Sequence, residues 1–125
     1  VVVRRPEASL IQLVYTCDGG QNLTPDDLQA LAGDLSRGNA RSQLTGLLLR
    51  QGDSFYGVLE GTERRVLARV ESMISDPRLG RVHVLKEEEI AQRRFGNWSF
   101  GALPAVHRAS NAAEDFILSL ARRKR

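Results

Sequence analysis

The sequence predicts an α/β (α+β) sandwich: strand, helix, strand, strand, helix, strand, strand, with one more helix at the end. Three observations predict it. Two segments, Leu28 to Leu35 and Val66 to Ile74, repeat apolar residues at the spacing of one helix face. Two apolar runs, Leu44 to Leu49 and Phe55 to Leu59, flank the polar connection Arg50-Gln51-Gly52-Asp53-Ser54, the pattern of a hairpin whose strands are largely buried. Short stretches rich in β-branched and aromatic residues precede the first helix and follow the second.

Ser9 to Thr16 reads as the first strand. Alternation puts Ile11, Leu13 and Tyr15 on one face and Leu10, Gln12, Val14 and Thr16 on the other. Thr24-Pro25-Asp26-Asp27 starts the first helix, with a threonine cap, proline at the first helical position and two acids at the positive end of the helix dipole. Its apolar stripe is Leu28, Leu31, Ala32 and Leu35, and Gly38 is the expected stop. Asn39 then falls between helix and hairpin, where its amide offers two donors and an acceptor to whatever lies between helix and sheet. The hairpin is expected at the middle of the sheet.

A second helix is expected from about Glu63 to Ile74, with Val66, Leu67, Val70, Met73 and Ile74 turned inward and Asp76-Pro77 closing it. Val82 to Leu85 is a strand, Glu87 to Phe95 a charged connection with a solvated Glu87 to Glu89 run, and Trp98 to Phe100 a short last strand. Asn111 to Leu120 suggests the additional C-terminal helix. It would cover the sheet face away from the main helices unless an oligomer buries that face, with Phe116 or Leu118 at the interface. Two split β-α-β units in one sheet give a ferredoxin-like βαββαββ sandwich with both main helices on one face.

Composition narrows the function classes. With 125 residues, 42% hydrophobic and 26% charged, the chain makes one domain, expected at residues 9–104 between a flexible stretch, 1–8, and a C-terminal helix with a basic tail, 105–125. Its one cysteine, Cys17, allows no internal disulfide and reads as a small buried hydrophobe, and no stretch is long and apolar enough for a membrane span, so a cytoplasmic setting is expected. The net charge of +3 owes much to Arg4-Arg5 and Arg122-Arg123-Lys124-Arg125, which no aromatic residues accompany, so nucleic acid is not the expected partner. His83 and His107 have no partners at ligand spacing, which argues against a metal.

Five stretches carry a resemblance. Leu-Val-Tyr at Leu13, Asn-Ala-Arg-Ser-Gln-Leu-Thr-Gly-Leu-Leu from Asn39, Val-Leu-Glu-Gly from Val58, Ile-Ala-Gln-Arg-Arg-Phe from Ile90 and Asn-Trp-Ser-Phe from Asn97 together resemble the BLUF domain, the bacterial family that senses blue light using flavin. The likeness runs from about Leu10 to Gly101 with the segments in the family's order. It implies a ferredoxin-like fold with the flavin of FAD (or of FMN or riboflavin) between the two helices. A tyrosine, a glutamine and an asparagine would bond the ring. Light would drive electron and proton transfer from the tyrosine, the glutamine would rearrange without any covalent bond to flavin, and the last strand would pass the change to a partner.

Carried over residue by residue, Tyr15 matches the photoactive tyrosine, Asn39 the anchoring asparagine and Trp98 the tryptophan of the signalling strand. Gly57 stands where the family has the glutamine, and Phe100 where it has a methionine. Counting from Asp76, itself placed at the cofactor site, Ser72 and Leu79 occupy positions that the family commonly gives to cationic or imidazole groups, leaving Arg41, Arg69, Arg78 and Arg81 as candidate phosphate partners. Glycine brings no side-chain donor or acceptor, so the ordinary switch is expected to fail, whereas losing one neutral hydrogen bond costs a ligand only about 0.5–1.5 kcal/mol. Two readings follow: a flavin-binding, non-enzymatic sensory module signalling to a second copy or a separate protein, and a cofactor-free interaction module of the same fold. An acyl phosphate hydrolase on this fold rests on analogy alone.

Overall fold

The computed structural model describes residues 9–18, 23–51 and 53–102. Its elements are β1 (Leu10–Asp18), α1 (Pro25–Arg41), β2 (Thr45–Gln51), β3 (Ser54–Thr62), α2 (Glu63–Ile74), β4 (Val82–Glu89) and β5 (Trp98–Ala102). They form a five-stranded sheet in the order β4-β1-β3-β2-β5. β1 pairs antiparallel with β3 and β4, and β2 antiparallel with β3 but parallel with β5. The hairpin β2–β3 lies inside the sheet, as its apolar runs required. The predicted helix from Asn111, the basic tail, His107 and the first eight residues lie outside the described residues.

Both helices pack on one face. Ile11, Leu13, Tyr15 and Cys17 of β1 form a core with Leu31 and Leu35 of α1, Val66, Val70 and Met73 of α2, and Leu44, Leu48, Phe55 and Leu59. Each such apolar side chain, fully buried, stabilises the fold by about 1.5–3 kcal/mol. Val14, Leu49 and Val58 form a second cluster with Leu47, Tyr56 and Phe95, built from the alternate residues of β1 and β3 and so on the other face.

Several boundaries differ from the expectation. Gly38 does not stop α1, which runs on to Arg41 and is closed by the backbone N–H groups of Ser42 and Gln43, which donate to the carbonyls of Gly38 and Ala40, each at 3.1 Å. The backbone reverses at Gln43, whose φ is 58°. Gly38 serves space instead of termination: a Cβ there would stand 2.5–2.8 Å from the guanidinium of Arg69 on α2. Asn39 is therefore in the last turn of the helix and not beyond it.

The hairpin connection is also tighter than five residues, because Gln51 already pairs with Ser54. β4 extends through Glu87 to Glu89, read above as part of a connection; among the described residues it pairs only with β1, and charged side chains suit such an edge strand. On α2 the boundaries Glu63–Ile74 hold, but Leu67 and Ile74 are exposed and the inward stripe is Val66, Val70 and Met73. Gly46, with φ 145°, brings β2 against the carbonyl of Val58, where a Cβ would collide, and its N–H bonds the carbonyl of Asn97 at 3.0 Å. That contact sets the start of β5 and hence Trp98, which pairs with Gly46.

Candidate functional site

Tyr15 and Gly57 face each other across β1 and β3. The Tyr15 side chain is buried on the helix side, and its ring lies over the Gly57 backbone: a Cβ on Gly57 would stand 2.6 Å from Tyr15 Cε1 and still closer to the ring's hydroxyl end. The tyrosine itself thus occupies the room that a side chain at position 57 would take. Burial drives the Tyr15 phenol well above its ordinary pKa, Cys17 adds to the rise, and the Arg69 charge opposes it. Tyr15 therefore holds its proton throughout the neutral range. Cys17, on the same face of β1, is pushed up to about 12, chiefly by burial and further by Asp18.

Asn39 comes from the neighbouring helix. It is one of three buried polar side chains among the described residues, with Gln12 and Glu60, and the only one of them on α1. Arg69 of α2 donates from Nε to Asn39 Oδ1 at 2.8 Å and from Nη2 to the Leu35 carbonyl at 3.4 Å. Burial lowers the pKa of Arg69, while Tyr15 and Asp76 raise it and Arg41 lowers it further. Tyr15 with Gly57 on the strands and Asn39 with Arg69 on the helices thus form two contacting pairs on the helix side of the sheet, and the Arg69 charge acts on the Tyr15 phenol.

Other residues singled out in the sequence lie elsewhere. Arg41 ends α1 and is exposed, Ser72 is on the exposed side of α2, and Leu79 is buried in the core instead of facing a phosphate. Asp76 is bound by Arg78, whose backbone N–H reaches Oδ1 at 2.9 Å and whose Nη2 reaches Oδ2 at 2.8 Å. Arg78 Nη1 also reaches Asp34 of α1 at 2.8 Å, so this trio fastens the end of α2 to α1. The Arg78 hydrogen bonds hold both carboxylates below their ordinary range. Arg81 and His83 are exposed.

Trp98 is half-buried against the core, and its Nε1 has no partner among the described residues. It lines a cleft of about 460 Å³ on the β5 side of α1, together with Ser36, Ala40, Gln43, Thr45 and Arg93. Phe100 pairs with Leu48 in the β2–β5 register.

Sequence reasoning missed two arrangements. Arg69 was one arginine among four, yet it falls three residues after Val66 and four before Met73, on the inward side of α2, opposite a glycine; that spacing was the available signal. The second is on the outer face, where Glu60, fully buried, accepts from Gln12 Nε2 at 2.7 Å and from the backbone N–H groups of Arg94 and Phe95 at 2.8 and 3.0 Å. Arg93 adds bonds to the Glu60 and Gln43 carbonyls and to Thr45 Oγ1. These contacts hold the segment before β5 against β3 and give Val-Leu-Glu-Gly and Arg-Arg-Phe a joint structural reason.

Comparison with known proteins gives the family. The profile described as BLUF, sensors of blue-light using FAD, matches residues 10–101. Among solved structures, BlrB, a BLUF protein in its dark state, superposes with a TM-score of 0.75 at 23% identity, over 93% of this chain and 95% of that one. The Klebsiella pneumoniae BlrP1 manganese/cy-diGMP complex is 33% identical, with a TM-score of 0.67, over 88% of this chain but 28% of its own. A bacterial light-regulated adenylyl cyclase is 26% identical, with a TM-score of 0.69, over 91% of this chain and 33% of its own. No match was found among curated proteins. Among the described residues no helix is long and apolar enough to cross a membrane. With the ferredoxin-like sheet and both helices on one face, the chain belongs to the BLUF family of flavin-binding blue-light sensors.

Proposed function

We propose that this chain senses blue light through a flavin held by Tyr15 and Asn39, that Gly57 deprives it of the ordinary hydrogen-bond switch, and that any signal leaves by non-covalent contact through β5. A fit to the ring of FAD is supported by the buried Asn39 amide that Arg69 holds, the protonated Tyr15 phenol that feels the Arg69 charge, and the apolar side chains of both helices beside them. FAD supplies the blue-light-absorbing ring. Tyr15 supplies a proton that burial keeps on its hydroxyl, Asn39 orients the ring through its amide, and Val66, Val70 and Leu35 exclude water.

The observation that carries the proposal is the pairing of Tyr15 with Gly57. A side-chain amide between tyrosine and ring could exchange donor for acceptor; glycine can exchange neither, and the Tyr15 ring fills the place. Output through β5 is supported by Trp98, a half-buried side chain that lines an open cleft in which a second copy or a separate protein could seat. Arg41, Ser72 and Asp76, exposed or engaged by Arg78, are left at most a role toward the ribityl and phosphate end of the cofactor.

The test is an absorption spectrum of the chain with FAD, before and after blue light. Flavin bands with no reversible red shift are expected. A normal shift would overturn the Gly57 argument, and a chain that ignores saturating FAD would support the interaction-module reading. Gly57→Gln should restore a shift only after Tyr15 turns away from its present place, since both groups claim one volume.

A further inference from the structure

Arg69 is half-buried on the inward side of α2, and among the described residues its hydrogen-bond acceptors are neutral: the Asn39 amide at 2.8 Å and the Leu35 carbonyl at 3.4 Å. Arg78 shows the alternative, with two carboxylates within 2.8 Å. A partly desolvated cation with neutral partners is held weakly and gains hydration when it leaves. α1 nevertheless makes room for it. Gly38 lies inside the helix, where glycine is less favourable than alanine, and a Cβ there would meet Nη2, Cζ and Nη1 of Arg69 at 2.5–2.8 Å. The guanidinium thus lies across the gap between α1 and α2, on the amide that a flavin ring would use.

We propose that Arg69 is a latch across the flavin cleft: its guanidinium competes with the ring for Asn39, and its release sets how fast and how tightly flavin enters. The proposal rests on the reading of Asn39 as the ring's anchor. Arg69 is attached to α2 by a long flexible side chain, so it can leave without any change of backbone, unlike Asn39. The same contact ties α1 to α2.

The experiment is a titration of the full chain with FAD, read as dissociation constant and association rate, for wild type, Arg69→Met and Gly38→Ala. Arg69→Met removes the guanidinium and keeps an apolar side chain of similar reach. Gly38→Ala leaves Arg69 and Asn39 in the sequence but pushes the guanidinium out of its seat, and the change suits a helix. Both variants are expected to bind FAD about tenfold tighter, the size of a modest charged hydrogen bond no longer in competition, and to associate faster. Unchanged or weaker binding in the variants, with wild type still binding, overturns the latch and leaves the flavin site standing. Should Arg69→Met fail to fold, Gly38→Ala decides the matter alone. No binding by any of the three overturns both the latch and the flavin reading.

Discussion

β1 and β3 carry two buried cross-strand pairs, one on each face of the sheet, and the two are held in opposite ways. On the outer face Gln12 stands opposite Glu60, whose carboxylate is satisfied by that amide and by two backbone N–H groups of the segment before β5. On the helix face Tyr15 stands opposite Gly57, and the nearby amide of Asn39 is held by one side chain from another helix. Backbone donors cannot withdraw unless their segment unfolds, whereas an arginine can swing away. The outer pair therefore belongs to the scaffold and the inner group is exchangeable, as a ligand site requires.

Glu60→Ala should break the scaffold side. It strands the buried Gln12 amide and two part-buried backbone N–H groups, at about 1–3 kcal/mol for each that water does not reach, so a loss of about 3–5 kcal/mol is expected in urea denaturation. A loss below about 1 kcal/mol would remove the contrast between the two faces.

The inner face should show itself in alkali. Tyr15 and Cys17 both have folded pKa values raised above their unfolded ones, so their stabilising effect is complete below the unfolded values of 10.0 and 9.0 and is lost as pH rises toward the folded ones. Stability should fall above about pH 9, by up to about 1.4 kcal/mol per pH unit per group. Tyr15→Phe keeps the ring over Gly57 and removes one of the two, so its base limb, followed by denaturation at several pH values, should be shallower. An unchanged limb would mean that Tyr15 does not titrate from a buried position.

Asn39→Ala should have the smallest effect on folding, about 0.5–1.5 kcal/mol, since Arg69 can turn to water. The same substitution should cost FAD affinity about tenfold. A folding loss as large as that of Glu60→Ala would make Asn39 part of the scaffold as well.

Much of the fold was legible because its signals are local. The capping box at Thr24 and Asp27, the stripe Val66, Val70 and Met73 and the two apolar runs of the hairpin each follow from residues close in sequence. Gly38 misled because glycine usually ends a helix by its backbone freedom, whereas here it admits a side chain from 31 positions away. Glu87 to Glu89 misled because charge marks solvent and a sheet edge alike.

By itself the sequence determined the family, the strand and helix order, and the presence of Tyr15 and Asn39 with glycine at position 57, since each depends on residue identity and short-range spacing. Only the tertiary structure decided that the Tyr15 ring lies over Gly57, that Arg69 takes Asn39, and that Glu60 fastens the segment before β5. Those contacts join residues that only sheet register and helix packing bring within hydrogen-bond reach, a few ångströms that sequence periodicity does not specify.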